Sequence, residues 1–300
     1  RISAEFLQKI WRIDEDTAKR TIKTTTQLNR QDINSKLSRN FGTNDRMLRY
    51  RRIKSHFFTD TFFVPGKATS HRGFRCMQIF VSDKGYVFVV PMKSESEFPK
   101  ALKMFAKEVG VPEVVVADSH KCHKSKEVKA FCHKIGTTLR ILEGSTQWAN
   151  RAEVYVGLFK EAVRKDMLEK DAPLIFWDYC AGRRALITNM TAKDLFQLQG
   201  TTPHTATVDE EGDISNICQF GWYEQVYFKE TVSAVPYPVE VLGHCLGPAK
   251  NEGIEMTPWM LKKNGEIMPR RSLHCLTPEE MSQNIEIARR KDFDAMIKAK

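Results

Sequence analysis

Apolar positions recur along this chain with two different periods, and the changes of period mark its parts. Over residues 3–25, Ala4, Phe6, Leu7 and Ile10 and then Ala18 and Ile22 stand at helical spacing. Two short helices follow, with Asp14 as N-cap of the second and Thr24-Thr25-Thr26 as its break. Such a pair reads as a helical hairpin before it reads as a DNA-inserting helix-turn-helix. Residues 26–54 are polar and rich in Asn and Arg, a basic linker. From Ser55 the texture is that of strands. His56–Val64, Phe74–Val81 and Tyr86–Val90 are predicted strands, the last two joined by an Asp83-Lys84-Gly85 turn. Phe98, Leu102, Phe105 and Val109 place an amphipathic helix over 95–109.

Val114–Asp118 is a short apolar run ending in an acid, the mark of a strand buried on both faces. A helix over 124–135 is closed by Gly136, and a strand runs over Thr137–Leu142. Two helices follow, Asn150–Glu169 and Pro173 to about Met190. Val154, Leu158 and Ala162 are expected on the core face of the first. Three antiparallel strands followed by alternating helices and strands define a mixed α/β sheet with helices on its faces. After about residue 215, strands are predicted at Gly221–Phe228 and Val239–Leu246, with a hairpin over Met260–Leu273 around Asn264-Gly265. Short strands punctuated by Gly and Pro suggest a small β-barrel. Residues 277–300 form a charged helix with Pro278 near its start.

Composition narrows the function classes. With 41% hydrophobic and 28% charged residues, 300 residues can build a sizeable core in more than one unit. No apolar run is long enough to span a bilayer, and no secretory signal segment opens the chain, which begins with Arg1 and reads as a piece of something longer. The net charge of +10 favours a polyanionic partner, and it is concentrated: residues 1–54 hold 14 Lys and Arg against 6 Asp and Glu. Seven scattered cysteines without a CxxC pair fit free thiols in a reducing compartment.

Three carboxylates stand out by position. Asp60 lies inside an aromatic strand, Asp118 ends an apolar one, and Glu153 is in the first turn of the long helix. An acid in a buried strand is costly to desolvate unless it is paired or binds a cation. Three of them at these positions suit two-metal phosphoryl transfer, in which two divalent ions about 4 Å apart clamp the attacking and leaving oxygens. Hard oxygen donors suit Mg²⁺ or Mn²⁺. At 100° per residue Lys160 and Arg164 lie within about 20° of Glu153, where they would meet phosphates.

Asp60 stands in Phe57-Phe58-Thr59-Asp60-Thr61, Asp118 in Val116-Ala117-Asp118-Ser119 and Glu153 after Gln147-Trp148-Ala149-Asn150-Arg151-Ala152, with a step of 35 positions from Asp118 to Glu153. This pattern resembles the D,D,E signature of retroviral and retrotransposon integrases. Thr43–Tyr50, the Val81-Ser82-Asp83 turn and Val241–Pro248 resemble the copia-type branch, in the form found in diatoms. The resemblance covers about residues 40–275. It implies a ribonuclease H-like core followed by a small SH3-like β-barrel and preceded by a short basic helical segment. The expected units are 1–54 (basic segment and linker), 55–205 (catalytic core), 215–276 (barrel) and 277–300 (charged helix). It further implies a piece of a Gag-Pol polyprotein that joins element DNA to target DNA with Asp60, Asp118 and Glu153 holding two Mg²⁺ or Mn²⁺ ions. Asn150, Lys160 and Arg164 would contact DNA, a homo-oligomer would assemble on it without any membrane, and the work would be done in the nucleus after a cytoplasmic particle.

Three departures accompany the likeness. Residues 1–54 contain no His and no Cys, so they cannot form the His-His-Cys-Cys zinc module of that family. Gly144-Ser145-Thr146-Gln147 lacks its usual Pro, and Gly157 stands one turn after Glu153. His120, Cys122, His123, Cys132 and His133 are spaced wrongly for a compact zinc site. Asp60-Thr61-Phe62 and Asp118-Ser119-His120 lack the Gly of an aspartic protease. Trp148, Trp177 and Trp222 read as core residues rather than base-stacking platforms. The competing functions are an inactive nucleic-acid-binding remnant of an integrase and, behind it, a ribonuclease H.

Overall fold

Five segments rich in Val, Ile and Phe pair into the first sheet: β1 (Arg52–Phe63), β2 (Cys76–Ser82), β3 (Val87–Met92), β4 (Val111–Ala117) and β5 (Thr138–Ile141). The computed structural model describes residues 2–29, 51–64, 69–143, 151–229, 240–250, 252 and 256–299. The strand order is β3-β2-β1-β4-β5. β1, β2 and β3 are antiparallel neighbours, while β4 and β5 run parallel to β1. This is the mixed sheet expected from the sequence, in the order of a ribonuclease H-like core.

β1 begins at Arg52, four residues earlier than its aromatic run suggests. Arg52, Lys54 and His56 are exposed while Ile53, Ser55 and Phe57 are buried, so the strand alternates at period two beneath its charges. β4 likewise starts early, at Val111, which leaves Asp118 one residue beyond its end.

One face of the sheet is covered by α3 (Phe98–Glu108) and α4 (Lys126–Ile135). Phe57, Phe80, Phe88, Phe98 and Phe105 fill that layer, with the Phe80 and Phe105 rings stacked 4.6 Å apart. A 3-10 turn at Glu95–Glu97 precedes α3, so the expected helix is entered through a tighter coil. Gly136 closes α4 in the left-handed region at φ 69°, its N–H bonded to the carbonyls of Cys132 and His133.

The other face carries α5 (Arg151–Glu169) and α6 (Trp177–Met190). Here one expectation fails. Val154 and Leu158 are 68% and 67% exposed, and the core side of α5 is formed by Val156, Phe159, Val163 and Met167. Both sets have helical spacing and apolar members, so periodicity alone does not choose between them. The larger Phe159 and its neighbours meet Phe62, Met77, Ile79 and Val81 on the sheet. Phe159→Ala should therefore cost about 3–5 kcal/mol in denaturant unfolding, and Leu158→Lys no more than about 0.5 kcal/mol. The reverse order would reject this orientation of α5.

α6 is buried almost all round, as a helix inside several layers must be. One side packs on the sheet through Trp177, Ala181 and Ala185. A second side meets α1 (Ala4–Trp11) and α2 (Glu15–Thr24): Ile187 joins Leu7, Trp11, Ala18, Ile214 and Ile217. Asp14 caps α2 as expected, accepting from Thr17 N at 2.8 Å. A third side, with Phe176, Tyr179 and Cys180, meets Trp222, Leu242, Leu246 and Leu261. Trp177 and Trp222 are both core residues at 3% exposure; Trp148 lies outside the described residues.

β6 (Glu224–Lys229), β7 (Glu240–Pro248), β8 (Pro258–Lys262), β9 (Ile267–Pro269) and β10 (Leu273–His274) make a second sheet, wholly antiparallel, in the order β10-β6-β7-β8-β9. It is a meander whose last strand, β10, returns beside its first, β6. The β8–β9 turn is built on Asn264-Gly265 as expected, Gly265 having φ 87°. The charged C-terminal segment is two helices, α8 (Pro278–Met281) and α9 (Asn284–Lys298), where the sequence suggested one. Thr277 and Glu280 form a capping box on α8. Phe293 and Ile297 of α9 insert beside β7, and Asp294 reaches His244 Nε2 at 2.8 Å. A short helix, α7 (Pro203–Val208), links α6 to this region. Among the described residues no helix is long and apolar enough to cross a membrane.

Candidate active site

Two features of the backbone bring Asp60 and Asp118 together. Gly110, between α3 and β4, has φ 132°, and a Cβ there would lie 2.6 Å from the Arg51 carbonyl. Only glycine tolerates both conditions, and the close approach lets Val111 N bond to Arg51 O, where β4 starts alongside β1. The pairing then shifts by one residue. Arg52 stands opposite Val111 and Ile53 opposite Pro112, but His56 stands opposite Val114 and Thr59 opposite Ala117. β1 thus holds an extra residue at Lys54-Ser55, a β-bulge. Without it, Asp60 would be level with Ser119, and every later side chain would change faces. With it, Asp60 is level with Asp118 across a parallel pair about 4.8 Å apart.

Asp60 shares its face with Phe62, two residues on, which packs under α5. Its Oδ1 accepts the Thr61 N–H at 2.7 Å. Burial pushes its carboxyl above the usual range, and the charge of Asp118 adds to the rise, against the opposing effects of Thr61, His123 and His120. Asp118 goes the other way. Burial acts upward on it too, but the close contact and charge of His123, with the charge of His120, hold its carboxyl below the ordinary value. The two carboxyls are displaced for different reasons: burial dominates at Asp60, and the histidines outweigh burial at Asp118.

The histidines come from the loop after β4. His123 Nδ1 is 2.6 Å from Asp118 Oδ1, and His120 Nε2 is 3.1 Å from Oδ2. From sequence these residues suggested only a poor zinc cluster; Cys132, counted with them, is in the core beneath α3. The available signal was a pair of histidines two and five positions after the acid.

Glu153 is in the first turn of α5, as expected, and its side chain is exposed. α5 is seated on the sheet close to it: Gly85 in the β2–β3 turn leaves room for the Tyr155 hydroxyl, and Phe159 meets Phe62 edge-on at 6.4 Å. Lys160 Nζ lies 5.1 Å above the Phe62 ring, and Arg164 pairs with Glu161 at 3.9 Å. Lys160 and Arg164 therefore share one side of α5, at the rim of an apolar groove floored by Phe62, Val163, Met167 and Trp177. Asn150 and the Thr43–Tyr50 segment lie outside the described residues. Among the described residues, no three His, Cys, Asp or Glu side chains are gathered closely enough to hold a metal. Asp60 and Asp118 are assembled as a pair, and Glu153 is not gathered with them.

The donor set nevertheless fits a hard divalent cation. Two carboxylates side by side repel each other, one of them already raised by burial, and a cation between them removes both costs.

No protein-family model matches the chain. No curated protein matches it. Among solved structures, the chain is similar to the HTLV-2 integrase catalytic core domain in complex with magnesium. The trimeric form is 18% identical over 53% of this chain and 97% of that one, with a TM-score of 0.39. The dimeric form is 18% identical over 51% and 95%, again with a TM-score of 0.39. An intasome of simian T-cell lymphotropic virus in complex with the PP2A regulatory subunit B56 gamma is 14% identical over 74% of this chain and 82% of that one, at 0.40. Likenesses of this size say nothing about activity.

Proposed function

We propose that this chain is the catalytic part of a copia-type retrotransposon integrase. In the reaction, the 3′-hydroxyl of element DNA attacks a phosphodiester of target DNA. A new phosphorus–oxygen bond joins the two and a target 3′-hydroxyl leaves. The observation that carries the reading is the level placement of Asp60 and Asp118 by the bulge at Lys54-Ser55, with their carboxyls displaced in opposite directions. Asp60, Asp118 and Glu153 are the residues to hold two Mg²⁺ or Mn²⁺ ions. When bound, the ions supply Lewis acidity to the attacking and leaving oxygens. The chain itself offers hard oxygen donors on a rigid sheet, and cations at Lys160 and Arg164 on the same helix as Glu153 to meet DNA phosphates. Asn150 is assigned to the same DNA contact from the sequence.

In this reading, 55–205 is the catalytic unit, 215–276 a DNA-binding barrel, and 1–54 and 277–300 flank them. The working form is a homo-oligomer on element-end and target DNA in the nucleus. The exposed position of Glu153, outside the assembled pair, favours a second reading: a DNA-binding remnant without catalysis.

Strand transfer from a short labelled duplex into plasmid, in Mn²⁺ or Mg²⁺, separates the two. Glu153→Gln keeps the shape and removes a charge, and should lower joining by about 10²-fold or more. Equal joining by the variant would remove Glu153 from the site. No joining by either protein, with salt-sensitive DNA binding kept, would favour the remnant.

A further inference from the structure

Both carboxylate oxygens of Asp118 lie within ion-pair distance of an imidazole, and the two imidazoles are unlike each other. His123 is 1% exposed, its ring edge-on to Phe98 with centroids 4.4 Å apart. Its Nδ1 hydrogen-bonds the Asp118 backbone carbonyl at 3.3 Å and lies 2.6 Å from Oδ1 in an ion-pair contact, Oδ1 itself being buried without a hydrogen-bond partner. The loop that carries it is fixed at once by α4, whose N-cap Ser125 accepts from Val128 N and whose Val128 and Cys132 are buried. His120 has a side chain 58% exposed and lies 3.1 Å from Oδ2. Within the buried ring, Nε2 has no hydrogen-bond partner. A phenyl group would pack against Phe98 without that unpartnered nitrogen, so packing does not explain an imidazole here. The Nδ1 contact to Asp118 does.

We propose that His123 is the positioning residue of the site. Its contact with Oδ1 and its hydrogen bond to the Asp118 backbone carbonyl hold the carboxylate in one place, and the exposed His120 is the contact that gives way. A free carboxylate rotates readily about its last torsion, and a buried donor removes that freedom before a cation arrives. The inference rests on the proposed reading of Asp118 as a cation ligand.

Mn²⁺ titration of the full chain, followed by electron paramagnetic resonance of the free ion, tests it without reference to turnover. His123→Phe keeps the packing and removes the donor, and should weaken Mn²⁺ binding about 10–100-fold while its melting temperature in EDTA stays at or above wild type. His123→Asn returns an N–H near the place of Nδ1, and should recover most of the affinity. His120→Ala should bind Mn²⁺ as well as wild type or better. Wild-type affinity in His123→Phe would overturn the proposal, and so would an Asn variant no better than the Phe variant. Weakening by His120→Ala would overturn the assignment of the role to His123 alone. Asp118→Asn separates the two levels: if it binds Mn²⁺ like wild type, the reading of Asp118 as a ligand fails, whereas loss in Asp118→Asn with none in His123→Phe removes the positioning role alone.

Discussion

Asp60→Asn should abolish strand transfer and, in the absence of divalent cations, raise the melting temperature. Both effects come from one carboxylate. Burial and the neighbouring Asp118 raise its pKa in the folded chain above the unfolded value, so the fold prefers the protonated form. The stability it contributes is fully present below the unfolded pKa and is lost as pH rises through the folded one. Once ionised, Asp60 is a half-buried charge repelled by Asp118, which Asn replaces with a neutral group of the same shape. Cation binding reverses the order. At a concentration about 100 times Kd, a cation stabilises the wild-type fold by about 2.7 kcal/mol, a rise of about 5–10 °C for a domain of this size. The Asn variant should lose most of that rise, and joining should fall about 10²–10³-fold or more. Calorimetry in EDTA and in Mn²⁺, beside the joining assay, reads all three quantities. A variant that melts lower than wild type in EDTA would mean that Asp60 stabilises the metal-free fold, and its place in a cation site would be lost.

The second large effect is far from the acids, at Asp166 on α5. Its carboxylate is 4% exposed and is bound by both arms of Arg184 on α6, with Nε at 2.7 Å from Oδ2 and Nη2 on Oδ1. Arg12, at the end of α1, approaches Oδ1 at 3.5 Å, and Arg184 also donates to the Trp11 carbonyl at 3.2 Å. One buried carboxylate thus ties α5 and α6 to the N-terminal helices. Asp166→Ala leaves Arg184, only 8% exposed, without its carboxylate partner. The expected loss is about 3–5 kcal/mol, or a fall of roughly 10 °C in melting temperature. The double variant Asp166→Leu, Arg184→Met should recover most of it, since a well-packed apolar pair replaces a buried ion pair at little cost. A single variant within about 1 kcal/mol of wild type would mean that water reaches Arg184 and that α1 and α2 are loosely held.

The strands and the helices that cover them were legible in the sequence because each has a local signature. Period two under Phe57 to Phe63, helical spacing from Phe98 to Val109, Gly136 after α4 and Asn264-Gly265 in a hairpin are all written in neighbouring residues. The orientation of α5 was not legible, because two apolar stripes compete on that helix and only the sheet selects Val156 and Phe159. Nor was the break in the C-terminal helix, where a capping box at Thr277 starts one short helix and α9 restarts at Asn284.

By itself, then, the sequence determined the mixed α/β order and the second antiparallel sheet and singled out the candidate acids, since these follow from residue type and short-range period. The tertiary structure decided what those acids meet. The bulge at Lys54-Ser55 and the glycine at 110 set the register of β4 on β1, which no local pattern encodes, and so made Asp60 and Asp118 neighbours. It turned two histidines that had the look of a failed metal motif onto the oxygens of Asp118. It also made α6 the helix on which the sheet, the N-terminal pair and the second sheet all close. The reason is the same in each case: pairing register and side-chain convergence depend on residues distant in the chain, and burial chooses among patterns that local sequence leaves equivalent.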